Sequence, residues 1–155
     1  MSAEAQTRPA FIPALAYKDP RAALDWLERA FGFEVSGVFT DSKGAIVHAE
    51  MVHGDGVVMI GGEWEGWAMS PASTDGVNTQ RVHVRIAQDI DGHCGRARAA
   101  GATIVMGPGD AFYGDRSYVA LDLEGHRWTF SQAIKDVTVE EMEKASGFKF
   151  SKAAS

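Results

Sequence analysis

The chain is short of cysteine, of positive charge and of long apolar runs, and each shortage excludes something. Its single cysteine among 155 residues, Cys94, rules out an internal disulfide and any Cys-rich zinc site. Lys and Arg number 15 against 21 Asp and Glu, a net charge of -6. Neither nucleic acid nor an anionic membrane attracts such a surface, so neither is expected as a partner. No apolar run reaches the length needed to cross a bilayer. Met1–Pro9 (MSAEAQTRP) is polar where a signal peptide would need a basic start and then an apolar stretch. A cytoplasmic protein is the expectation, with small molecules and other proteins left as partners.

What is present is an ordinary globular composition, 45% apolar and 23% charged, of a length that suits one domain over 1–155. Within it the chain repeats itself. Phe11–Val35 reads FIPALAYKDPRAALDWLERAFGFEV and Arg81–Val105 reads RVHVRIAQDIDGHCGRARAAGATIV. Each is a short alternating stretch, an Asp, about three helical turns, a Gly and a further apolar stretch. Asp19 recurs as Asp89 and Gly32 as Gly101, offsets of seventy and sixty-nine residues.

Each piece has its local chemistry. Asp19 suits an N-cap, and Pro20 at the first helical position gives up only an N–H that lacks a helical partner. Ala23, Leu24, Leu27, Ala30 and Phe31 share one helical face, and Gly32 suits the left-handed stop. In the second copy Asp89 caps, Ile90, Cys94 and Ala97 form the stripe, and Gly101 stops the helix. Gly92 and Gly95 weaken that helix by roughly 1 kcal/mol each relative to Ala, so packing on a sheet must hold it. The pattern predicts strands over Glu34–Thr40, Ala45–Val52 and Val57–Gly61 in the first half. In the second half it predicts Thr103–Met106, Arg116–Asp122 and His126–Gln132.

Thr138 and Glu141 form a capping box that opens a short helix to about Ser146, and Lys149–Ser155 reads as a frayed tail. The expected architecture is α+β: two βαβββ modules with curled mixed sheets forming a cup, plus the C-terminal helix. Module one spans about 10–62, a linker about 63–79 and module two about 80–133, with helix and tail over 134–155.

The strings DPRAALDWLERAFGFEV, VHAEMVHGDGVVMIGGE, DIDGHCGRARAAGATIV and YGDRSYVALDLEGHRWTFSQ resemble the glyoxalase/bleomycin resistance/dioxygenase (vicinal oxygen chelate) superfamily, and within it a subgroup of small glyoxalase-like proteins. The resemblance covers about Phe11 to Gln132. It implies modules paired around an active site, usually in a homodimer. It also implies one divalent metal held by a His or Gln on the first strand of each module and a Glu on the last, with open positions for substrate oxygens.

Mapped onto this chain, those places fall on Ile12, Met59, Thr129 and either Arg81 or Val82. Alternation favours Arg81: Val82, Val84 and Ile86 are apolar and suit the helix side, which leaves Arg81, His83 and Arg85 facing the cup. Such a set does not hold a catalytic ion, so no metal cofactor is expected. The alternative is a shifted divalent-metal site at His48, Glu50 and His83, since His48 and Glu50 share a strand face. Polar residues on a half-exposed strand are common, and that plainer reading outweighs the shifted site.

Trp64, Trp67 and Met69 lie in a Gly-rich connector, where the rings either stack on a flat ligand or pack at a junction. Trp26 and Trp128 read as core. Asp115 and Arg116 read as a buried pair fixing a loop, His126 as a turn residue, His93 as part of a solvated helix face and Cys94 as small apolar core.

Two functions follow. One is a metal-independent binding protein of the bleomycin-resistance kind, sequestering a small anionic or aromatic molecule. Its cup would be lined by Arg81, His83, Arg85, Arg127 and Thr129, with Met59 and Ile12 as floor and Trp64 and Trp67 at the rim. The other is an enzyme (lyase, isomerase or dioxygenase) with metal at His48, Glu50 and His83, or with Glu50 and a His as acid and base.

Overall fold

A computed structural model describes residues 8–153. Most of the polar start, Met1–Thr7, and the last two residues of the tail lie outside the described residues. Two modules follow each other: β1 (Ala14–Tyr17), α1 (Pro20–Phe31), β2 (Glu34–Thr40), β3 (Ile46–His53) and β4 (Gly56–Gly62), then β5 (Val82–Arg85), α2 (Ile90–Ala99), β6 (Thr103–Asp110), β7 (Asp115–Leu121) and β8 (Arg127–Ala133). The sheets run β1-β4-β3-β2 and β5-β8-β7-β6, the same order twice. In each, the first strand pairs parallel with the last and the other pairings are antiparallel. The fold is the α+β double βαβββ architecture that the repeat predicts. No helix among the described residues is long and apolar enough to cross a membrane.

The helices begin and end where their sequence dictates. The Asp19 carboxylate accepts from Ala22 N at 3.0 Å, Pro20 opens α1, and Gly32 takes φ 74° to close it. α3 (Val139–Ser146) opens on the Thr138–Glu141 capping box. One strand outruns its expected end. β6 continues through Gly107-Pro108-Gly109 to Asp110, because register shifts on both sides of Met106 carry the pairing past the break. It is also the edge of its sheet, where a proline costs no ladder bond.

One apolar cluster takes residues from both modules, from Leu27, Phe31, Met51 and Ile60 to Ile90, Cys94, Tyr118, Trp128 and Phe130. Trp26 and Trp128 are buried in it, and Cys94 is a buried apolar residue whose thiol pKa burial pushes up. α2 is weakly amphipathic by sequence and is held by α1. His93 and Arg96 bond to carbonyls of the last turn of α1: Nε2 of His93 to Phe31 O at 2.9 Å, and Arg96 to Arg29 O at 2.7 Å and to Glu28 O, which also accepts from Gly32 N, at 2.8 Å. Trp26 Nε1 returns a bond to Ala100 O at 2.8 Å.

These contacts correct the reading of His93 as solvated. It is half-buried, with Nδ1 2.6 Å from the Tyr118 hydroxyl, and its ring lies against Phe31 and Phe130. The Asp115–Arg116 pair is also corrected. Neighbours along a strand point to opposite faces, so Asp115 meets Arg85 at 3.2 Å while Arg116 binds Asp91 and Asp110, each at 2.9 Å. His126 does more than serve its turn. It reaches back to module one, Nε2 to Ala16 O at 2.7 Å, and lies against the Tyr17 ring.

Candidate functional site

Each sheet packs one face on the helices and turns its other, more open face away from them. On that face of sheet two, Ser117, Val119 and Ser131 are buried as well. On β3, Ala49 and Met51 are fully buried, so His48 and Glu50 point to the open side; Met59 lies opposite Glu50 and joins them. On β8, Trp128 and Phe130 are buried and Arg127, Thr129 and Ser131 point the other way. The pairing of β5 with β8 sets Val82 beside Trp128, His83 beside Thr129 and Val84 beside Phe130. The helix side therefore takes the valines and the open side takes His83 and Arg85, the orientation that alternation predicted.

The β1 and β5 edges face each other across a cleft between the modules. One part, about 370 Å³, is walled by Phe11–Leu15 on one side and Gln80–His83 on the other, with His126 and Arg127 at its end. A second part, about 380 Å³, shares Phe11, Pro13, Val82 and His83 with the first and continues over Phe33, Met51, Val58, Val84 and Trp128 to a rim of His53, Asp55 and Arg85. The combination is apolar walls with a few polar groups at the mouth, within the usual size range of small-molecule sites. β4 makes room for it, because β1 starts only at Ala14 and leaves the first residues of β4 without a parallel neighbour.

The structure brings four of the sequence candidates to this cleft: Arg81, His83 and Arg127 in the first part, His83 and Arg85 in the second. Ile12 is there as apolar wall. His83 is fixed by a bond between Nε2 and the buried Ser131 hydroxyl at 2.7 Å. Thr129 and Met59 point to the open faces but do not line the cleft. Trp64 and Trp67 sit on a small turn closed by the Trp64–Ala68 bridge, 62% and 76% exposed, with rings 5.6 Å apart.

The donor set does not fit a divalent ion. The places that the resemblance implies for ligands are Ile12, Met59, Thr129 and either Arg81 or Val82, and none of these side chains is a usual ligand of a divalent ion. The shifted site is not assembled either. His48 Nε2 lies 3.6 Å from Glu50 Oε1, but His83 is on the other sheet and engaged with Ser131. Among the described residues no three His, Cys, Asp or Glu side chains come together to hold a metal. Glu50 is taken by a residue that sequence reading did not single out: Arg8 donates to both of its oxygens, at 3.1 and 2.7 Å. That bond is the first cause of a Glu50 pKa below the usual carboxylate value.

Two βαβββ modules meeting across a ligand-sized cleft define the paired-module class of glyoxalase-like proteins. Residues 11–130 match the family model described as the Glyoxalase/Bleomycin resistance protein/Dioxygenase superfamily, and the chain belongs to that superfamily. An uncharacterised protein of Mycobacterium bovis is 31% identical over 145 residues, covering 88% of this chain and 91% of the relative. Among solved structures, TioX from Micromonospora sp. ML1 is similar at 39% identity and TM-score 0.64, covering 79% of this chain and 97% of TioX. TnmS3, an antibiotic-binding protein from Streptomyces sp. CB03234, matches at 16% identity and TM-score 0.62, covering 84% of this chain and 99% of TnmS3.

Proposed function

We propose that this protein binds a small organic molecule, aromatic and carrying an acidic group, in the cleft between its modules, and that it does so without a metal. The observation that carries the reading is the pairing of apolar walls (Phe11, Ile12, Pro13 and Val82) with Arg81, His83 and Arg127 at one mouth. A flat ring gains by burying its faces between those walls, and a guanidinium gives a carboxylate two parallel donors. Binding and release with no bond made is sequestration, a task for which this set of side chains suffices. TnmS3, an antibiotic-binding protein, shares the fold. At its identity that likeness speaks for architecture, so the proposal stands on the cleft's own residues. A homodimer is compatible with it and is not required.

Isothermal titration with naphthalene-2-carboxylate tests the reading on the purified protein, with elemental analysis alongside. Saturable binding by metal-free protein, weakened in Arg81→Ala and Arg127→Ala, is the expected result. Absence of binding, or binding restored only by a divalent ion, would overturn it. The latter outcome would favour the enzymatic alternative around His48 and Glu50.

A further inference from the structure

The two parts of the cleft are continuous, since Phe11, Pro13, Val82 and His83 wall both. The cleft follows β5: its first part touches Gln80 to His83 and its second Val82 to Arg85. Four strand steps lead from Arg81 to Arg85, a span of about 13 Å at roughly 3.3 Å per residue. Both ends are polar, and some of their side chains are already engaged. His83 bonds to Ser131, His126 to Ala16 O, and Arg85 to Asp115 at 3.2 Å. Among the described residues, no ion pair engages Arg81 or Arg127 at one end, nor His53 or Asp55 at the other. Asp55 is exposed on a tight turn, where His53 and Gly56 pair across a two-residue hairpin with Gly54 at φ 55°. The Phe33 ring lies 5.5 Å from the His53 ring and walls the same end.

We infer that the ligand is an elongated zwitterion. Its acidic group meets Arg81 and Arg127, its ring lies between Phe11 and Val82, and an ammonium group about 13 Å further along meets Asp55 and His53. The inference deepens the reading of the inter-module cleft as the binding site and rests on it. The uncompensated charge is positive at one end and negative at the other. Arg85 shares the second rim, but Asp115 offsets its charge, so Asp55 sets the sign there. An ammonium brings three donors and no acceptor; a carboxylate and an imidazole nitrogen can both receive them. The Phe33 ring beside them favours a cation over an anion. Between the ends the walls are apolar, which suits a hydrocarbon or aromatic body with its charges at the tips.

The probe is naphthalene-2-carboxylate carrying an aminopropoxy arm at the far end of its ring system, titrated calorimetrically beside the parent naphthoate. In the wild type the amine should tighten binding about threefold to fivefold, the worth of an exposed ion pair. Acetylating the amine should remove that gain. Asp55→Asn should remove it too, while the parent naphthoate, whose contacts lie at the other end, binds the variant as it binds the wild type. Equal wild-type affinity for the amine and its acetylated form, or a gain that survives Asp55→Asn, would overturn the zwitterion even where naphthoate binding upholds the cleft. If neither naphthoate nor its amino derivative binds the wild type, the cleft reading falls and the zwitterion with it.

Discussion

The Tyr17 hydroxyl donates to Asp122 Oδ2 at 2.6 Å, and this bond ties the first strand of module one to the last turn of module two. The same Oδ2 accepts from Trp128 Nε1 at 3.0 Å, and Oδ1 accepts from the backbone N–H groups of Glu124 and His126. Next to it, Glu124 takes the N–H groups of Lys18 and Asp19 and the Ser70 hydroxyl. The D-x-E-G-H-x-W string is therefore a clasp between modules.

Removing parts of the clasp should have graded costs. Tyr17→Phe gives up one bond to a buried carboxylate, about 1.5–3 kcal/mol. Asp122→Ala strands four donors and should cost more. Asp122→Asn should be almost as damaging, because one carboxylate oxygen becomes an NH₂ that cannot accept from Trp128 Nε1. Urea unfolding followed by tryptophan fluorescence measures all three. Equal stability of Tyr17→Phe and wild type would remove the clasp from the account.

Two glycines of α2 should respond in opposite directions to alanine. Helix propensity alone gives a gain of up to about 1 kcal/mol at each. At Gly95 nothing stands within 4 Å of an added Cβ, so Gly95→Ala should realise that gain. At Gly92 the new Cβ would lie 2.2 Å from Asp89 Oδ2, and the cap bond from Gly92 N to Asp89 Oδ1 would be lost. Gly92→Ala should therefore destabilise by about 1–2 kcal/mol, the usual worth of an N-cap. Thermal melts of the two variants decide it, and a gain at both positions would contradict the geometry.

Features with a local cause were legible in the sequence. The caps at Asp19 and Asp89, the stripes of both helices and the face carrying His83 and Arg85 each follow from a period of 3.6 or 2 and a stop signal. What was not legible is held together across the chain. His93 meets Phe31, Asp122 meets Tyr17, and Arg8 meets Glu50, partners 62, 105 and 42 residues apart with no periodic trace. The same limit applied to His48, Glu50 and His83, since a shared face on one strand says nothing about which strand faces it. Arg8 escaped notice because a lone basic residue before the first strand carries no pattern at all.

His93 should make stability depend on pH on the acid side. Phe31 O can only accept, so Nε2 carries the proton and Nδ1 accepts from the Tyr118 hydroxyl. Burial is the main cause holding its pKa below 6.5, partly offset by the Phe31 bond. The unfolded chain therefore takes up a proton that the folded chain refuses. Stability on this account is full above about pH 6.5, and falls as pH drops from there toward the folded-state value. Urea midpoints between pH 8 and pH 5 should show the fall, and His93→Gln, whatever its absolute stability, should flatten it over that window. An unchanged slope in the variant would mean that other groups cause it.

The arginines at the cleft mouth should reveal themselves through salt. Arg81 and Arg127 are exposed, so their attraction for a bound carboxylate is screened over a Debye length of about 8 Å at physiological ionic strength. Naphthoate affinity in the wild type should fall on going from roughly 20 mM to 500 mM NaCl. In the Arg81→Ala/Arg127→Ala double variant it should be weaker at low salt and nearly flat, because ring burial between Phe11 and Val82 does not depend on charge. If both guanidinium groups grip one carboxylate, each single variant should cost nearly as much as the double; if they act apart, the losses should add. A wild-type affinity indifferent to salt would place the acidic end of the ligand away from these residues.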